Sequence, residues 1–93
     1  MILTVHDRLS GKKYRLEVFE ENTAKSVINV LIKKGLIGSS PGQDYEWALV
    51  DSRFYQIFPD ERIIPRASSN EEGEVYLIAR AKHGGKQTRN GKV

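Results

Sequence analysis

The first eighteen residues alternate between apolar and polar positions in two runs. In MILTVHD, Leu3, Val5 and Asp7 fall on one side of an extended chain, and Ile2, Thr4 and His6 on the other. RLSGK follows as a turn signal, in which Gly11 is free to take positive φ without a Cβ clash. KKYRLEVFE alternates again, with Tyr14, Leu16 and Val18 opposed to Lys13, Arg15 and Glu17. Two period-2 runs around a short glycine-containing loop predict a β-hairpin. The period then lengthens. Ala24, Val27, Ile28 and Leu31 stand at i, i+3, i+4 and i+7, which predicts a helix with one apolar stripe. Thr23 or Asn22 is placed to cap its start. Lys33 and Lys34 suit the negative end of its dipole, and Gly35 the left-handed position past its end.

The second half is less regular. IGSSPGQD has loop composition. YEWALVD and RFYQIF predict two strands around a turn near Ser52, the second closed by Pro59. PDERIIPRASSNEEGE reads as irregular, with Ile63 and Ile64 plugging the core. EVYLIARA is the last strand, and its continuous apolar run VYLI predicts a central place in the sheet. The pattern is α+β, one helix packed on a mixed sheet of four to five strands. Residues 1–81 are expected to form the domain, and residues 82–93 a flexible tail.

Composition narrows the function classes. Ninety-three residues make one small domain. With no cysteine, disulfides, thiolate metal ligands and a cysteine nucleophile are excluded, and two distant histidines, His6 and His83, make no zinc site. No apolar run reaches the length of a membrane span, and MILTVHDRLSGKK lacks a signal-peptide layout; a soluble cytoplasmic monomer is expected. The chain carries 15 Lys and Arg against 12 Asp and Glu. Three of the cations (Lys86, Arg89 and Lys92) lie in the tail, so residues 1–85 carry 12 of each sign. A neutral body gives poor footing for nucleic acid.

The order of elements and several residues resemble ubiquitin. In LSGKKYRLEV, Leu9, Gly11, Lys12, Leu16, Glu17 and Val18 match its first hairpin, and Thr23, Val27 and Gly35 match its helix. The last strand runs into Gly84–Gly85, as in the ubiquitin family. The likeness spans residues 1–85 and is strongest at the two ends. It implies a β-grasp fold and a protein modifier that does no catalysis itself. Two departures are visible: the loop GLIGSSPGQD is longer than ubiquitin's, and Ala81-Lys82-His83 replaces the basic Arg-Leu-Arg before the glycines, with Arg80 displaced one step. These differences resemble the prokaryotic ubiquitin-like proteins.

The resemblance also implies a chemistry. The terminal carboxylate of Gly85 would be adenylated with ATP by a ubiquitin-activating-like enzyme, passed as a thioester to a conjugating-like enzyme, and joined to lysine amines of target proteins. A narrow enzyme channel suits Gly84 and Gly85, which lack a Cβ. KQTRNGKV must first be removed as a propeptide, by cleavage between Gly85 and Lys86. A deubiquitinase-type metalloprotease with zinc-bound water is the expected agent, so ATP and zinc belong to partner enzymes and this chain needs no cofactor. Arg80, Lys82 and His83 are candidates for recognition of the tail.

Leu9 would belong to an apolar recognition patch, with Ala48 or Leu49 as its partner on the third strand, depending on register. If Trp47 and Tyr45 point inward, Leu49 joins them and Ala48 faces out. Trp47, Tyr55 and Tyr76 read as core or strand-pairing residues, and Lys12 and Lys13 as solvated charge. Two other functions share the fold: a sulfur carrier with a thiocarboxylate on Gly85, and a non-covalent β-grasp binding module.

Overall fold

The computed structural model describes residues 1–67 and 72–82. Its strands are β1 (Ile2–Asp7), β2 (Lys13–Glu17), β3 (Tyr45–Val50), β4 (Gln56–Ile57) and β5 (Glu72–Ala81); its helices are α1 (Ala24–Lys33) and the four-residue α2 (Ile64–Ala67). The strands form one mixed sheet in the order β2-β1-β5-β3-β4. β1 and β5 are parallel, and every other pair is antiparallel. A hairpin, a helix across the sheet, and a last strand returned parallel to the first are the β-grasp architecture. The central position expected for the last strand is observed.

Alternation decides which face is buried. Leu3 and Val5 of β1, Leu49 of β3, and Val75 and Leu77 of β5 point under α1, where they meet Val27 and Leu31. Ile63, fully buried, closes the bottom of this core. Asp7 shares the buried side of β1 and is satisfied by the turn: its Oδ1 accepts the N–H groups of Leu9 (2.9 Å) and Ser10 (3.2 Å). Gly11, at φ 80°, completes that turn. At the helix start, Thr23 is the cap: its side chain accepts from the Ser26 N–H, and Ser26 Oγ accepts from the Thr23 N–H at 2.8 Å. Gly35 takes φ 75° just beyond the helix.

Three details depart from the sequence reading. The strand expected over RFYQIF is only Gln56–Ile57; Arg53, Phe54 and Tyr55 belong to the turn, with Phe54 at φ 68°. The stretch read as irregular contains α2, with Pro65 in its first turn, where a missing N–H costs nothing. Tyr45 shares the helix-side face with the half-buried Trp47, yet remains 48% exposed. The register sets Tyr45 and Trp47 opposite Ala81 and Ala79, whose short side chains leave this end of the sheet thinly covered.

Candidate partner-recognition face

The sheet face turned away from α1 is built from the alternate residues of the same strands. Tyr76 and Ile78 of β5 lie opposite Val50 and Ala48 of β3, and Tyr76 lies opposite His6 of β1. The His6 and Tyr76 rings stack at 4.8 Å with 21° between their planes. Phe54 packs tilted on Tyr76 at 5.1 Å. The Arg8 guanidinium lies over both, 5.3 Å from the Phe54 centroid and 5.8 Å from that of Tyr76. His6 Nε2 is 3.5 Å from Glu74 Oε1. The result is a cation-capped aromatic ridge, with Leu9 next in the chain after Arg8.

Phe54 is held in a conformation that an aromatic residue rarely adopts. The Asp51 carboxylate supplies the restraint: its Oδ1 accepts the N–H groups of Arg53 and Tyr55, each at 2.9 Å. The backbone closes the same turn, with Phe54 N–H donating to Asp51 O and Asp51 N–H to Tyr55 O. Asp51 is itself fixed by Arg66 of α2, whose Nη2 lies 2.9 Å from Asp51 Oδ2 and also donates to Gln56 O. Arg66 Nη1 bonds Glu61. The Arg66 hydrogen bond holds the Asp51 carboxyl below its usual range, aided by the Tyr55 and Arg53 N–H groups and opposed by burial. Asp51 and Glu61 in turn raise Arg66. One short helix thus anchors the turn that presents Phe54, which is 54% exposed.

The residues singled out from the sequence do not all converge. Leu9 is 54% exposed at the hairpin turn. Ala48 lies on the outer face but is buried among its neighbours. Leu49 is fully buried against the helix side and offers a partner no surface. Arg80 is on the outer face, its Nε 3.4 Å from Glu46 Oε2. Lys82 is exposed and anchored through its N–H to Asp44 O at 3.0 Å. His83, Gly84, Gly85 and Lys86 lie outside the described residues. Phe54, His6, Arg8 and Tyr76 are additions that sequence reasoning missed. Tyr55, read as core or pairing, is 64% exposed. The turn composition of Asp51-Ser52-Arg53 was the available signal, since Asp ahead of a turn accepts N–H groups two and more residues on.

No protein-family model matches this chain, and no curated protein sequence matches it. Among the described residues, no cluster of three or more histidine or carboxylate side chains is arranged to hold a metal, and no helix is long and apolar enough to cross a membrane.

Proposed function

We propose that this chain is a ubiquitin-like protein modifier of prokaryotic type, acting in the cytoplasm and conjugated through Gly85. The observation that carries the reading is the path of β5. This strand is locked between β1 and β3 and ends at Ala81, so Gly84 is the third residue beyond a rigid sheet. A carboxylate made at Gly85 would stand at the end of a short lead from that sheet, suited to entry into an enzyme channel. The aromatic ridge supplies what a modifier also needs, an exposed face that partners can grip without touching the reacting end.

The reaction sequence has three parts. Water, activated on the zinc of a metalloprotease, adds to the Gly85 carbonyl; the Gly85–Lys86 amide breaks, and the Lys86 amine leaves with the octapeptide. The freed carboxylate attacks ATP and releases pyrophosphate, and a thiolate of the activating enzyme then displaces AMP. After passage to the thiolate of a conjugating enzyme, a target lysine amine displaces that thiolate and forms the isopeptide bond. The chain itself contributes the acyl group and the recognition surface, with no catalytic residue.

The test is the intact mass of the protein recovered from its native cell. Maturation predicts loss of residues 86–93, and protein that is full-length in every fraction would overturn the reading. A sulfur-for-oxygen exchange on the shortened chain would instead select the sulfur carrier.

A further inference from the structure

A groove of roughly 370 Å³ runs along the other side of the molecule, between α1 and the start of β3. Its apolar walls are Ile28 and Ile32 of the helix, Tyr45 and Trp47 of the strand, and Pro59. The short Ala79 and Ala81 across from Trp47 and Tyr45 explain why this end is open. Lys25 and Lys82, both exposed, also line the groove. Its one acid is Glu46, engaged by Arg80. The groove is therefore apolar with a positive rim.

The chain carries a matching shape on its β2–α1 turn, in the sequence Val18-Phe19-Glu20-Glu21-Asn22. Phe19 is 54% exposed, and Glu20 and Glu21 beside it are exposed as well. The turn is held at both backbone groups of Phe19: its N–H donates to Asn22 Oδ1 at 2.7 Å, and its carbonyl accepts the Asn22 N–H at 3.0 Å. The backbone that carries this exposed aromatic side chain is thus held, with two carboxylates directly after it, so little backbone ordering entropy remains to be lost when the turn is covered.

We infer that the Phe19 turn of one copy inserts into the Lys25–Lys82 groove of a second copy. The contact joins two different surfaces of the same chain, so it is head-to-tail and extends into a chain or ring rather than closing as a symmetric dimer. A second groove, between β2 and α1, fits less well, because its Arg15 is already paired with Glu72, which leaves Lys34 beside Glu17 on its rim. The tail is a poorer occupant too, since its charges (Lys86, Arg89 and Lys92) match the sign of the rim. One aromatic anchor buries far less than the roughly 1,200 Å² of a stable interface, so association belongs in the range of about 0.1–1 mM. This inference does not rest on the proposed conjugation, although Lys82 borders both the groove and the lead to Gly85.

Sedimentation equilibrium of the full chain, with emission of its single tryptophan, Trp47, tests the contact. Wild type should rise above its 10.6 kDa monomer mass with concentration while the Trp47 emission shifts. Phe19→Ala should weaken association at least about tenfold. Reversing the turn (Glu20→Lys with Glu21→Lys) or the rim (Lys25→Glu with Lys82→Glu) should leave each protein monomeric. Mixing these two reversed proteins should restore association, because each turn then meets a rim of opposite sign. All the altered side chains are exposed, so the fold should persist, as circular dichroism checks. A wild type that stays monomeric at about 1 mM, reversed proteins that associate alone, or a mixture that fails to associate would each overturn the inference.

Discussion

Replacing Arg66 with Met keeps the aliphatic stem of the side chain and removes the guanidinium that ties α2 to the Phe54 turn. The wild-type group bonds Asp51, Glu61 and the Gln56 carbonyl together. Side-chain exposure is 28% for Arg66, 14% for Asp51 and 31% for Glu61, so the cluster is half-buried. Breaking a fully buried pair costs about 3–5 kcal/mol, and an exposed pair contributes at most about 1 kcal/mol. An intermediate site with an additional neutral hydrogen bond places Arg66→Met at about 2 kcal/mol of lost stability. Urea unfolding, followed by the emission of the half-buried Trp47, should show the midpoint falling by about 1–2 M for a domain of this size. The pH dependence separates ion pairing from packing. Asp51 has a folded pKa below its ordinary value, so its contribution is complete above that value and is lost as pH falls toward the lowered one. The gap between wild type and Arg66→Met should therefore hold from about pH 8 to about pH 5 and close below about pH 4. A cost under about 0.5 kcal/mol, or a gap unchanged at about pH 3, would refute the ion-pair account of this turn.

Two further substitutions probe the frame that carries the site. Gly73→Ala puts a Cβ at 2.6 Å from the Ala67 Cβ, 3.0 Å from the Ala67 carbonyl oxygen and 3.1 Å from Met1 Sδ. It should cost about 1–3 kcal/mol by thermal unfolding, and a neutral result would mean that α2 does not pack on β5 as described. Thr23→Ala removes one arm of the reciprocal cap with Ser26 and should cost about 1 kcal/mol in the same assay; no change would deny the cap its role.

The hairpin, α1 and the central β5 were legible in the sequence because each is set by a local period that burial reinforces. Leu3, Val5 and Val75 are fully buried, and Val18, Val27, Leu31 and Leu77 join them in one core. The turn around Phe54 was not legible for the opposite reason. RFYQIF has the β-branched and aromatic content of a strand, but the Asp51 carboxylate accepts the N–H groups of Arg53 and Tyr55 and curls the chain. Asp51 is held in place by Arg66, 15 residues away in sequence, and no periodicity reports that contact. The depth of Ala48 was not legible for a similar reason. Alternation correctly divided Ala48 from Leu49, but not how deeply Ala48 would lie once β3 had neighbours on both sides. The outer face instead presents Phe54, Tyr76 and Arg8, drawn from three separate segments.

The claim that matters most concerns Gly85, and peptide mass spectrometry of proteins from the native cell tests it directly. Digestion of conjugates should leave the chain's C-terminal remnant, ending in Gly84–Gly85, on lysine amines of other proteins, and Gly85→Ala should abolish those adducts. Recovery of the protein only as an intact chain still carrying residues 86–93, with no remnant on any lysine, would contradict the account.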